Sequence, residues 1–394
     1  MSGCRRVYIR QKPFYGSALH VAVNRGSAKC SQYLLDAGAD PNVTGQHGRT
    51  PLHYASEHGR IDCMRHLLDS KADPNQRDAD KRTPLHYATI ENKTDCVLHL
   101  LQAGANPDQG DKHGRTPLHY ASEHGRIDCM RHLLDSKADP NQRDADKRTP
   151  LHYATIENKT DCVLHLLQAG ANPDQGDKEG KTPLHYAIER GRIDCMRHLL
   201  DSKANPNQPD EDKRSPLHYA TIENKTDCVL HLLQAGANPD QGDKEGKTPL
   251  HYAIERGRID CMRHLLDSKA NPNQPDEDKR TPLHYATIEN KTDCVLHLLQ
   301  AGANPDQGDK EGKTPLHYAI EWGRIDCMRH LLDSKANPNQ PDEDKRSPLH
   351  YATIVNKTDC VLHLLQAGAN PDQGDKAGYG TAISIYSANA FLEN

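Results

Sequence analysis

The chain has 394 residues, with 50 Lys and Arg against 55 Asp and Glu, 35% hydrophobic residues, two Phe and one Trp. So little large apolar mass cannot easily fill the deep cores of two or three ordinary domains, the even charge balance does not suit a disordered tail, and near-neutrality argues against a phosphate-driven nucleic-acid binder. No stretch approaches the ~18 apolar residues of a membrane span, and the first residues lack the apolar segment of a secretory signal. A soluble intracellular protein, neither membrane-bound nor bound to nucleic acid, is expected.

Residues 1–14 read as a basic N-terminal arm or cap, carrying Arg5, Arg6, Arg10 and Lys12. A worn motif follows, Ser17-Ala18-Leu19-His20-Val21-Ala22. Its full form, Thr-Pro-Leu-His-Tyr-Ala, begins at Thr50 and returns in steps of 33 residues at Thr83, Thr116, Thr149, Thr182, Thr248, Thr281 and Thr314; Ser215 and Ser347 head the same string. The length accommodates about 12 such units, counting partial ends. A longer period overlies this one. Residues 47–112 and 113–178 are identical over 66 positions, and 179–244, 245–310 and 311–376 differ among themselves at only three: 215/281/347, 256/322 and 289/355. The first 33-residue repeat of each cassette is termed A and the second B.

Each repeat carries the signals of two short helices. Thr50 or Thr83 can cap the first helix, and Pro51 or Pro84 stands at its first position, where a missing N–H costs nothing. That helix should end near Gly59 in A and Asn92 in B, residues that tolerate a left-handed backbone. The second is expected over Ile61–Ser70, with Ile61, Met64, Leu67 and Leu68 at helical spacing. It ends at Gly104 in B but at Lys71 in A, where a left-handed lysine would be strained. The run Asn106–Lys112 reads as a turn or hairpin. Residues 377–394 look like a degenerate C-terminal capping half-repeat, and the two phenylalanines, Phe14 and Phe391, lie at opposite ends.

The string Gly-x-Thr-Pro-Leu-His-x-Ala, followed at the proper offset by Leu-Leu-x-x-Gly-Ala-x-Pro, resembles the ankyrin repeat. The resemblance covers residues 15–376. It implies an all-α solenoid of stacked helix-turn-helix units with short β-hairpin fingers, each unit burying its apolar face against its neighbours. It also implies that the Pro-Leu-His histidines hydrogen-bond turns of neighbouring units.

Ten Cys-x-x-His pairs, Cys63/His66 to Cys360/His363, could each supply half a zinc site. The resemblance favours a packing role instead, because the family places a small core-facing side chain at this cysteine. Equivalent cysteines in adjacent repeats would lie ~10 Å apart, beyond disulfide reach. Free thiols suit a reducing compartment, which makes the sequons at Asn92, Asn158, Asn224, Asn290 and Asn356 accidents of the repeat. No nucleophile elbow, phosphate loop or HExxH motif occurs. Neither a cofactor nor a metal is expected, nor catalysis.

By resemblance, partners dock on the concave side, on finger tips and the exposed face of the first helix. In A repeats this selects Lys112, His113, Arg115, Tyr120, Glu123 and His124. In B repeats it selects Ala145, Asp146, Arg148, Tyr153, Ile156 and Glu157. Later A repeats change to Glu245, Lys247, Tyr252, Glu255 and Arg256, and Trp322 replaces that arginine once. Tyr54, Tyr87, Tyr120, Tyr153, Tyr186, Tyr219, Tyr252, Tyr285, Tyr318 and Tyr351 should form a ladder. It either contacts a partner or packs over the Pro-Leu-His turn and leaves its hydroxyls wet. Leu98, Leu164, Leu230, Leu296 and Leu362 would recur on the outer face. Ankyrin hairpins are also substrates of asparaginyl hydroxylases, which favour Leu eight residues and an acid two residues before the target. Asn42, Asn75 and Asn141 match, and Asn207, Asn273 and Asn339 match less well.

These features predict a non-catalytic, monomeric scaffold or adaptor of the cytoplasm, with the nucleus also compatible, that binds a protein partner. The alternative is an elastic spacer, or a fragment of a larger ankyrin-bearing channel or ubiquitin-ligase adaptor.

Overall fold

A computed structural model describes residues 16–376. The basic arm, the capping half-repeat, Phe14 and Phe391 lie outside the described residues. Two compact units are distinguished, one ending at Ala204 and the other beginning at Asn205. Each is built from the same repeat, and the described residues hold twenty-two α-helices in pairs.

The first pairs are α1 (Ala18–Arg25) and α2 (Ala28–Asp36), α3 (Pro51–His58) and α4 (Ile61–Asp69), and α5 (Pro84–Ile90) and α6 (Thr94–Gln102). The start signals act as local chemistry dictates. Thr50 caps α3 in a reciprocal box with His53, and Pro51 occupies the first helical position. Gly59 closes α3 at φ 67°, and Asn92 plays that part after α5 at φ 54°. Within a repeat the two helices pack together, and within each unit first helices stack on first helices and second on second. The core lies between them. Leu52 and Ala55 of α3 and Cys63, Met64 and Leu67 of α4 are buried, as are their counterparts in later repeats.

The fingers take the turn of the two forms that the sequence allowed. Among the described residues there is no strand. Each finger is a turn closed by two backbone bonds, such as Asp111 N–H to the Arg115 carbonyl at 2.9 Å and Gly114 N–H to the Asp111 carbonyl at 3.0 Å. Adjacent fingers are tied by single bonds, Ala145 N–H to the His113 carbonyl and Lys178 N–H to the Asp146 carbonyl. The amides that a hairpin ladder would use are taken by a side chain. Oδ1 of Asp144 accepts from the N–H of Asp146 and of Arg148, at 2.9 and 2.8 Å.

Strain falls where Lys replaces Gly. Lys71, Lys137, Lys203, Lys269 and Lys335 end the second helix of A repeats at φ 65–70°, whereas Gly104 holds this place in B at φ 86°. A left-handed non-glycine residue costs on the order of 1 kcal/mol, offset partly by glycine's greater freedom in the unfolded chain. Lys71→Gly should therefore raise stability by about 0.5–1 kcal/mol, read as a higher urea midpoint at constant m-value. A lower midpoint would mean that the lysine side chain contributes packing that outweighs the strain.

Candidate functional site

The face made by the fingers and the first helices is held by a unit that recurs along each half of the chain. In the finger, Asp144 satisfies its own turn through Oδ1 and accepts the Tyr153 hydroxyl on Oδ2 at 2.7 Å. From the preceding finger, the Arg115 guanidinium lies 4.5 Å from the Tyr153 ring centroid and donates to Glu123 at 3.0 Å. The same parts recur as Asp78, Tyr87 and Arg49, with Arg49 Nη2 donating to the Tyr87 hydroxyl at 2.7 Å. They recur again as Asp243, Tyr252 and Arg214. In later A repeats lysine replaces this arginine. Lys247 Nζ lies 5.2 Å from the Tyr285 ring and binds Glu255, a point charge in place of a fork.

Behind this row stand the Pro-Leu-His histidines. The Thr116 amide donates to Nδ1 of His119 at 3.1 Å, so the proton sits on Nε2, which donates to the Arg148 carbonyl at 3.1 Å. The His119 ring thus joins its helix to the next finger, and it meets the following tyrosine edge-on, 5.7 Å between the centroids of His119 and Tyr153. Burial strips the imidazolium of water, outweighs the help of that carbonyl, and lowers the pKa of His119 to about 4.

The Cys-x-x-His pairs are split between core and surface. Cys63 and the nine cysteines from Cys96 to Cys360 are buried free thiols. His99 and His165 lie on the second helices and accept from Arg65 and Arg131 of the preceding repeat. Among the described residues, no group of three or more His, Cys, Asp or Glu is placed to hold a metal. The A-repeat thiols bond back across the repeat: Cys129 to the Asn92 side chain at 3.5 Å and Cys195 to Asn158 at 3.5 Å. The sequon asparagines therefore serve the stack. Burial first, then the neighbouring Asp95 or Asp161, pushes Cys96 and Cys162 up to about 12. A thiol reagent applied to the native protein, followed by peptide mapping, should label exposed Cys30 and spare Cys63 to Cys360 until urea is added. Rapid native labelling of Cys162 would show that the repeats open readily.

The family described as "Ankyrin repeats (3 copies)" matches residues 6–78, 72–144, 136–210, 202–276 and 283–375. The chain belongs to the ankyrin-repeat family. Among solved structures it is similar to the human ASB11 ankyrin repeat domain, with 28% identity and a TM-score of 0.50 over 57% of this chain and 100% of that one. No curated protein sequence matches the chain.

On this ankyrin array, Arg82, His113, Arg115, Glu123, His124, Asp146 and Arg148 come together around a depression of ≈ 530 Å³. His113, His124 and Asp146 are exposed at its rim, while Arg115, Arg148 and Glu123 are half-buried and already engaged. Ile156 is half-buried, and Arg256 and Trp322 are exposed. The tyrosine ladder is corrected. Tyr120, Tyr153, Tyr186, Tyr252 and Tyr318 are only 5–6% exposed, Tyr219 and Tyr285 are half-buried, and the hydroxyls face an aspartate rather than water. The sequence reading missed that aspartate. Its signal was present: Asp78, Asp111, Asp144 and their successors to Asp342 recur at 33 residues, four before the Arg or Lys that precedes each Thr-Pro or Ser-Pro. On the outer face the repeated leucines are half-buried, apart from Leu362, which is exposed. Asn42, Asn75 and Asn141 also bridge repeats; Asn75 donates to the Gly104 carbonyl and accepts from the Asn106 amide. No helix among the described residues is long and apolar enough to cross a membrane.

Proposed function

We propose that the chain is a non-catalytic scaffold that binds a protein partner on the finger and first-helix face. Ankyrin repeats are protein-interaction modules, and the observation that carries the reading here is the depression beside Arg115. It is rimmed by exposed His113, His124 and Asp146 on a base in which Arg115 binds Glu123 and Tyr153 binds Asp144. Such a base keeps the ordering cost of binding low. The tyrosines belong to that base, and the partner meets the charged side chains above them. Ten buried free thiols support a reducing compartment, and the cytoplasm suits them.

Because residues 47–112 and 113–178 are identical, a test must alter both copies. A variant with Glu at His47, His58, His113 and His124 and Lys at Asp80 and Asp146 would be compared with the wild type in affinity capture from cytosolic extract. Loss of a partner that the wild type holds supports the reading. A partner held equally by both moves the site off this face. The absence of any specific partner favours the spacer, for which the repetition of one bonded unit along each half is the supporting feature.

Asn42, Asn75 and Asn141 are further proposed as hydroxylation targets. Co-expression with an asparaginyl hydroxylase should add oxygen to the peptides that contain them, and unchanged peptide masses would remove the idea.

A further inference from the structure

The last cassette differs from the one before it at only three of 66 positions, and two of these lie in neighbouring repeats on the same face. Where the preceding cassette has Arg256 and Glu289, the last has Trp322 and Val355. Trp322 caps the end of the helix Pro315–Glu321 and Val355 that of Pro348–Ile354, and these helices pack together. One cation and one anion disappear together, so the net charge is kept while two apolar side chains are gained. Ile354, in the last of the described repeats, is also exposed. Trp322 itself is 52% exposed. Trp322 and Ile354 face solvent and Val355 is half-buried, and apolar side chains grouped on neighbouring helices mark an interaction site more often than scattered leucines do.

The rim of the patch carries carboxylates, some already met by the chain's own cations: Lys313 stands beside Glu311, Arg346 lies 3.7 Å from Asp344, and Arg324 lies 5.7 Å from the Trp322 ring centroid. The finger tips carry Glu311 and Glu343, tied by the bond from Glu343 N–H to the Glu311 carbonyl, with Asp344 beside them. Lys313 lies 3.3 Å from Glu311 and 3.4 Å from Glu321, the residue before Trp322, which sets acidic fingers and apolar patch on one face. In the first two cassettes these tip positions are His113 and Ala145.

We infer that this patch anchors a partner segment in which an apolar side chain is flanked by Lys or Arg. The inference rests on the reading of this face as protein-binding. The apolar side chain would cover Trp322, Val355 and Ile354, and the cations would meet Glu311, Glu343 and Asp344. The chain's own residues 377–394 contain no Lys or Arg, and so lack the charge that this rim complements.

Trp322 is the only tryptophan of the chain, so its emission reports on the patch alone. The full-length protein would be titrated with a short synthetic peptide alternating Leu or Phe with Lys or Arg, and with a second peptide carrying Glu for each cation. A saturable blue shift with the basic peptide only is expected. The double variant Trp322→Arg, Val355→Glu restores the surface of the preceding cassette, a sequence the array already folds, and should bind labelled peptide about tenfold or more weakly. Glu311→Gln with Glu343→Gln should weaken binding and flatten its salt dependence. Equal affinity for wild type and the double variant would overturn the inference. So would emission shielded from acrylamide without peptide, meaning that the chain's own terminus covers the patch, or emission that shifts with protein concentration alone, meaning a second copy does. If the peptide fails while partner capture still depends on His113 and Asp146, the anchoring site is wrong and the broader reading survives.

Discussion

Lowering the pH from 7 to 4.5 should unfold most of this array, with a far-UV helical signal that falls steeply between about pH 6 and 4.5. The cause is the buried histidine of each repeat. His53, His86, His119, His152, His251, His284 and His317 are each held at a pKa of about 4, burial outweighing the carbonyl that each Nε2 meets. The unfolded chain protonates histidine near 6.5. Folded values therefore lie below unfolded ones, so the stability these neutral rings contribute is complete above about pH 6.5 and drains as pH falls toward 4. At pH 5 each ring accounts for roughly 2 kcal/mol, and seven together rival the whole stability of an ordinary domain. The geometry shows why protonation cannot be absorbed locally. A proton added to Nδ1 of His119 would face the Thr116 N–H that this nitrogen accepts. The finger carboxylates act in the same direction at lower pH. Burial opposes the charge on Asp111, yet the Tyr120 hydroxyl and the amides of His113 and Arg115 hold its pKa below the usual range. A helical signal unchanged at pH 4.5 would show that the rings protonate without loss of structure.

Most of this scaffold is written in short-range chemistry, which is why a single sequence reveals it. Thr before Pro fixes where α3 and α5 start, and Gly59 or Asn92 fixes where they end, because each choice concerns one turn of backbone. The strained Lys71 was legible for the same reason: the residue beside it in the repeat alignment is Gly104. The fate of the tyrosines was not legible in this way. Whether Tyr153 faces a partner or the interior is decided by Asp144, nine residues earlier, and by Arg115, thirty-eight residues earlier in the preceding finger. Neither lies within a helical period of it. The fingers turn on the same residue, and no strand is seen in them among the described residues. The composition of Asn106–Lys112 was compatible with either a turn or a hairpin, and the aspartate that accepts two finger amides goes with the turn. A tally of residues spaced at 33 points to that aspartate, but only the structure shows that its two oxygens serve two different tasks.

Replacing Asp144 with alanine should be the most damaging single change on the finger face, lowering unfolding free energy by about 2–4 kcal/mol. Three donors lose their acceptor at once: the amides of Asp146 and Arg148 and the hydroxyl of Tyr153. Removing one partner of a buried bond costs more than the bond contributes, because the stranded donor must then find water or remain unpaired. Asp144→Asn should recover much of the loss, since the amide oxygen can still accept from the two backbone groups while Tyr153 alone goes unmatched. Tyr153→Phe should then cost only about 1 kcal/mol, the value of one side-chain bond. The order Ala, Asn, Phe in urea midpoints distinguishes a carboxylate that builds the finger from one that merely meets the tyrosine; equal losses for all three would favour the latter. The chain contains its own precedent. In the first finger the equivalent position is Gly45, so that turn is built without the carboxylate. The bonds joining the fingers, Ala145 to His113 and Lys178 to Asp146, start from this turn. Hydrogen exchange in the Asp144→Ala protein should therefore accelerate first at Ala145, Arg148 and Lys178, on either side of the depression proposed to receive the partner, and partner binding should weaken even though Asp144 itself is buried beneath that surface.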